Sequence, residues 1–209
     1  QNILTTNAMY SGVYIIVEKE NSLFYPSLVA DNLDFKKIKS SSWYKKIIEA
    51  DAPVILEDHK EGLDDAVNSS SMTQIHEYAF SVGIPFKDTM SLQTLGVILL
   101  DVNMDWLKDA LQSTHLGKHN GWMIAISPQG KIILPSEWET SMKTKPTKTT
   151  EFISKIFADE KAKKTTGAFN TNFDRKDLLV TYTTISDKGW TLVGLVPVSS
   201  MIANARKLA

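Results

Sequence analysis

Apolar positions dominate Gly12 to Lys19 (GVYIIVEK), a stretch rich in β-branched and aromatic residues, and an extended pattern resumes at Leu23, Phe24 and Tyr25 after the turn-like Glu20 and Asn21. This predicts a hairpin. The period then lengthens. Phe35, Ile38, Tyr44, Ile47 and Ile48 recur at helical spacing with lysines between them, so one helix is expected to run from Phe35 towards Ala50, carrying Trp43 and Tyr44 as an aromatic corner. Pro53 opens a short strand, PVILE, and an acidic, irregular stretch follows from Glu57 to Ser71. Thr73 to Phe86 alternates as a strand does, and a turn over Lys87 to Ser91 joins it to Leu95 to Asn103 (LGVILLDVN). That second run is continuously apolar until Asp101, the pattern of a buried strand with a charge at its rim, and the two strands are expected to pair antiparallel. In the following MDWLKDALQ, Met104, Leu107 and Leu111 form a helical stripe with Trp106 beside it, and Asp101 or Asn103 can cap its start.

Gly117 breaks the pattern within Thr114 to Asn120 (THLGKHN), and a module boundary is expected there. The theme then repeats: a strand GWMIAI, a turn over Ser127 to Gly130, and a return strand KIIL. Pro135 to Thr150 is polar and rich in threonine and lysine, as loops are. Glu151 to Ala158 places Phe152, Ile153, Ile156 and Phe157 on one helical face. Three further strands, TGAFNTNF, LLVTYTTI and GWTLVGLVPV, complete an antiparallel sheet with one or two helices on a face, and SSMIANARKLA is helical in pattern with no stop signal.

An aromatic wall at Trp43 and Tyr44 facing the single carboxylate of Asp101 suits a small cationic or zwitterionic ligand, through cation–π attraction and a charge-assisted hydrogen bond. The competing reading makes the two aromatics ordinary core and Asp101 a helix cap. The acidic stretch invites a calcium loop, but Glu57, His59 and Glu61 before Gly62 do not supply the Asp and Asn ligands such a loop needs, and its twelfth position is Asn68. His115 and His119 stand four apart, as two metal ligands on one helical face do. Gly117 between them argues against a firm helix, which favours exposed loop histidines.

Composition narrows these possibilities. The 209 residues suffice for one large or two small domains, with 43% hydrophobic and 22% charged residues as in ordinary globular chains. With 23 basic and 24 acidic residues there is no electrostatic footprint for nucleic acid. The absence of cysteine removes thiolate metal sites, thiol nucleophiles and disulfides together. No apolar run reaches the roughly 18 residues of a membrane helix. The phosphate-loop, dinucleotide, nucleophile-elbow and zinc-protease signatures are all missing, so no cofactor, metal or catalytic group is expected.

Together these residues resemble the double Cache domain, the extracytoplasmic ligand-sensing module of bacterial transmembrane receptors. Trp43 and Tyr44 at a helix end, then Leu95, Gly96 and Val97 rising to Asp101 before a helix, match its first module. Gly121 and Trp122, Gly130, Ile132 and Ile133, Thr181 and Tyr182, Gly189 and Trp190, and Val196 and Pro197 match its second, and the resemblance runs from Tyr10 onward. It implies an α+β fold of two tandem PAS-like modules, each a central antiparallel sheet with flanking helices, with the family's long N-terminal helix largely missing. Residues 1–113 would form the membrane-distal, ligand-sensing module, 114–198 the membrane-proximal module, and 199–209 the start of the helix leading to the membrane.

The ligand-binding set implied is Trp43, Tyr44, Asp58, Tyr78 and Asp101, with Asp58 as the nearest acidic candidate for the family's element on the intervening strand. Amino-acid-binding members carry an arginine two residues before the Trp. This chain has Ser41 there, and Lys39 and Lys45 could act only as point charges. An amine or polar neutral ligand is therefore expected ahead of an amino acid. The parent protein would be a membrane-anchored receptor, a histidine kinase, chemoreceptor or cyclase/phosphatase, with a homodimer as the expected assembly. Its alternative role would be to dock a periplasmic binding protein rather than bind a metabolite.

Overall fold

The computed structural model describes residues 8–17, 23–25, 34–64, 77–114, 116, 121–135, 151, 153–158, 165–173, 175–185 and 189–206. The chain divides into two compact units, Gln1–Leu107 and Lys108–Ala209. This division falls a few residues before the glycine-punctuated stretch from Thr114 to Asn120.

The first unit holds β1 (Tyr10–Val17), β2 (Leu23–Tyr25), α1 (Phe35–Ser40), α2 (Ser42–Ile48), β3 (Val54–Leu56), β4 (Tyr78–Lys87), β5 (Thr94–Asn103) and the first turn of α3 (Met104–Ser113). Its strands form one antiparallel sheet in the order β2-β1-β5-β4-β3. The apolar strand β5 lies at the centre, hydrogen-bonded to β1 on one side and β4 on the other. Alternation along β5 sends Val97, Leu99 and Asp101 to the face where Tyr14, Ile16, Ile38, Trp43, Tyr44 and Ile47 form the core. Gly83, opposite Leu99, lets the Ile47 side chain lie directly on the sheet, because a Cβ there would collide with it.

The expected single helix is two. Ser41, with φ −64° and ψ 153°, closes α1 and opens α2: its hydroxyl donates to the Ile38 carbonyl at 2.6 Å and accepts from the Tyr44 amide at 3.4 Å. A serine hydroxyl offers the backbone local partners in place of the continuing helical ladder, and the chain bends where it takes them. Asp34 caps the start of α1 through the amides of Lys36 and Lys37.

The second unit repeats the topology. Strands β6 (Trp122–Ile126), β7 (Ile132–Ile133), β8 (Thr166–Phe173), β9 (Lys176–Ile185) and β10 (Trp190–Pro197) are ordered β7-β6-β10-β9-β8, again second, first, fifth, fourth, third. Residues 153–158 are helical and form α4, whose Ile153 and Ile156 pack on Ile124, Ile126, Val180, Tyr182, Val193 and Leu195. The helix α5 (Val198–Arg206) follows β10. The architecture is α+β and PAS-like, two antiparallel sheets with few helices. Phe152, and the stretches 65–76 and 136–150, lie outside the described residues.

Candidate ligand-binding site

The site begins with strand register. Asp101 on β5 pairs with Gly12 on β1 and with Ser81 on β4, and Ser81 pairs with Leu56 on β3, so one row across four strands reads Gly12, Asp101, Ser81, Leu56. Two of the three residues nearest the carboxylate along that row are small. The rim position expected for Asp101 is therefore corrected: it sits on the core face of the central strand, 3% exposed. A carboxylate is costly there unless donors meet it. Ser81, fully buried, donates its hydroxyl to Asp101 Oδ1 at 2.6 Å, and His59 Nε2 lies 2.8 Å from the same oxygen. Because a carboxylate only accepts, that second bond requires the proton on Nε2.

His59, 1% exposed, is surrounded by aromatic rings. Tyr78 stacks on the imidazole at 4.6 Å between centroids and 11° between planes. Tyr14 meets it edge-on at 5.9 Å and Trp43 approaches tilted at 5.9 Å. The Tyr78 hydroxyl also accepts the His59 backbone amide at 3.2 Å. Trp43 is fixed in turn: its indole Nε1 donates to the Glu61 carbonyl at 2.9 Å, and its ring stands at 81° to that of Tyr44. Glu61 also accepts the Ser42 amide through Oε2 at 3.2 Å, tying the turn Lys60–Asp64 to α2. That turn depends on Gly62 at φ +87°, where a Cβ would press on the Ile38 backbone at 3.0 Å.

Four of the five residues expected from the sequence thus lie together. Trp43, Tyr78 and Asp101 meet around His59, and Tyr44 packs against Trp43. Asp58 faces the other way: its side chain is 54% exposed, 3.9 Å from Lys60 at the surface. Its neighbour His59, three residues beyond the end of β3, is turned inward instead. Asp101 does not cap α3, since the Trp106 amide goes to Asn103 Oδ1 at 2.9 Å. The residues missed were His59, Ser81 and Tyr14. Ser81 left a signal, as a lone hydroxyl in the apolar run YAFSVGIPF, but His59 lay in a stretch with no period to orient it.

Among the described residues no group of His, Cys, Asp or Glu side chains is arranged to hold a metal ion. Of the calcium candidates, His59 is turned towards Asp101 and Glu61 towards α2, while Asn68 lies outside the described residues, as do His115 and His119. Among the described residues no helix is long and apolar enough to cross a membrane.

This fold is that of the Cache-type ligand-binding domains of chemoreceptors and histidine kinases. The ligand-binding domain of the Pseudomonas fluorescens chemoreceptor CtaA, in complex with L-serine, matches 94% of this chain and 76% of its own at TM-score 0.59 and 16% identity. The ligand-binding domain of the Pseudomonas aeruginosa PAO1 amino-acid chemoreceptor PctC, in complex with GABA, matches 94% and 77% at TM-score 0.56 and 17% identity. The extracellular domain assigned to the histidine kinase mmHK1S-Z3 matches 100% and 80% at TM-score 0.60 and 16% identity. No protein-family model matches the sequence, and no curated protein matches it.

Proposed function

We propose that this chain is an extracytoplasmic sensing domain of a membrane-anchored signalling receptor, and that it binds a small amine or polar neutral molecule in its first unit. One observation carries the reading: in a fold shared with receptor ligand-binding domains, the central strand of the first sheet places a buried carboxylate beside an aromatic box. The second unit offers no counterpart among the described residues: it buries the hydroxyl side chains of Ser127 and Thr191 but no charged group. Residues 1–113 would then sense, 114–198 transmit, and 199–209 lead towards the membrane. The output domain, whether kinase, chemoreceptor or cyclase/phosphatase, lies outside this chain, which itself is read as non-catalytic.

Ligand polarity follows from the donors and acceptors present. Asp101 rewards an N–H or O–H group, and the faces of Trp43 and Tyr78 reward a cation. Calorimetry against a library of amines, amino acids and neutral metabolites tests this directly. A ligand should be found whose affinity falls roughly ten- to a hundredfold in Asp101→Asn, the loss of one charge-assisted hydrogen bond of about 1.5–3 kcal/mol. Undiminished binding in that variant would remove Asp101 from the site. The alternative, docking of a periplasmic binding protein, is favoured by one feature: the exposed Met90 and Leu92 in the turn between β4 and β5. Retained receptor binding in a Met90→Ser, Leu92→Ser double variant would dispose of it.

A further inference from the structure

We propose that His59 is a tethered occupant of the ligand seat, and that the natural ligand carries a flat, N–H-bearing cationic group that takes its place. The inference rests on the sensing role proposed above. Its ground is that the three rings and the carboxylate oxygen that would receive a cationic ligand are already engaged by this one side chain. The imidazole stacks on Tyr78, meets the rings of Tyr14 and Trp43, and directs an N–H at Asp101 from 2.8 Å. A ligand of the same chemistry cannot share that volume, so it competes.

The segment that holds the imidazole lies outside the sheet and is flanked by the buried core residues Leu56 and Leu63. His59 comes from the short stretch between β3 and the turn Lys60–Asp64, outside the sheet, whereas Asp101, Ser81, Tyr14 and Tyr78 stand on strands. The next residues are bonded to α2 through the Trp43 indole and the Ser42 amide. Departure of His59 therefore shifts the stretch that anchors α2 and gives ligand entry a mechanical readout. A ligand moves this equilibrium only through its better fit to the open seat.

Imidazole itself is the probe. In His59→Ala, free imidazole should bind with one-to-one stoichiometry in calorimetry, and the double variant His59→Ala, Asp101→Asn should not bind it. If His59→Ala alone is unfolded, imidazole should restore its circular dichroism, and failure to do so overturns the proposal. In wild-type protein labelled with 15N-histidine, unlabelled imidazole should move the His59 ring signal from its buried to its free position. The competition should make apparent affinity about ten- to a hundredfold weaker than in His59→Ala, since the open fraction divides the intrinsic affinity. A His59 signal unmoved up to about a hundred times the Kd of the alanine variant shows a fixed structural pair and sinks the idea. So does a ligand that binds through Asp101 with the His59 signal in place, an outcome that leaves the sensing role standing. If imidazole behaves as expected while no library metabolite binds, the seat survives and the sensing role does not.

Discussion

Ser81→Ala isolates the energetic core of the site. The substitution removes one oxygen from a fully buried side chain, leaves no cavity large enough to collapse, and keeps the strand residue small. What it deletes is the 2.6 Å bond to Asp101 Oδ1. Hydrogen bonds to charged groups contribute about 1.5–3 kcal/mol, and the remaining bond from His59 limits the cost of leaving the carboxylate under-satisfied, so a loss of about 2 kcal/mol is expected. Ser11→Ala is the internal control: its hydroxyl reaches only the Asp101 backbone carbonyl, at 3.5 Å, and its removal should cost under about 0.5 kcal/mol. With a urea m-value of about 2 kcal/mol/M, the first substitution should lower the denaturation midpoint of the first unit by about 1 M and the second by a small fraction of that. Trp43 fluorescence follows the unit once the other four tryptophans are replaced by phenylalanine in all variants compared. In an Asp101→Asn background the Ser81→Ala cost should shrink, giving a coupling energy of roughly 1–2 kcal/mol. Equal midpoints for the two serine variants, or full additivity with Asp101→Asn, would show that the short bond contributes nothing and that the polar cluster is incidental.

Asn103→Ala should destabilise the first unit by about 1 kcal/mol in denaturant titrations through loss of the α3 cap, while leaving ligand affinity unchanged. Gly96→Ala should be far worse than Gly83→Ala, by about 1–3 kcal/mol. A Cβ at Gly96 meets the Ile16 backbone carbonyl, which cannot yield, whereas one at Gly83 meets the end of the Ile47 side chain, which can. Asp88, in the turn between β4 and β5, is held below its ordinary 3.8 by the Ser91 amide, then the Ser91 hydroxyl and the Met90 amide. A depressed carboxylate stabilises the fold above its unfolded pKa and loses that contribution as pH falls through the folded value. Wild type and Asp88→Asn should therefore differ in stability at neutral pH and converge below pH 3.8, as acid titration of both melting curves will show.

The strands were legible because alternation and β-branched content act locally: each of the segments read as extended, from GVYIIVEK to GWTLVGLVPV, contains a strand of the observed sheets. The break at Ser41 was not, because the hydrophobic period of Phe35, Ile38, Tyr44 and Ile47 survives it. Two short helices that bury the same face produce nearly the same pattern as one. The site was half legible. Trp43, Tyr78 and Asp101 could be singled out, but what makes Asp101 tolerable at a core position comes from Ser81 and His59, 20 and 42 residues away, and no local signal carries a pairing at that separation. Asp58 and His59 show the same limit at its smallest scale. They are adjacent, beyond the end of β3, where no strand period decides which one enters the core.

The same packing bears on which ligands the site can favour. Where the resemblance places an arginine in amino-acid-binding receptors, Ser41 is buried and its hydroxyl is committed to Ile38 and Tyr44, so it cannot reach a ligand without unmaking the junction of α1 and α2. Of the two lysines that could act as point charges, Lys45 is exposed and Lys39 half-buried, and neither offers the planar fork of an arginine. An ammonium could be received at Asp101, but a carboxylate beside it would have to be buried near another carboxylate with no planar fork to meet it. The physical preference is then for a ligand whose positive or N–H-bearing end is planar and whose remainder is uncharged, which is the character of the imidazole that fills the seat.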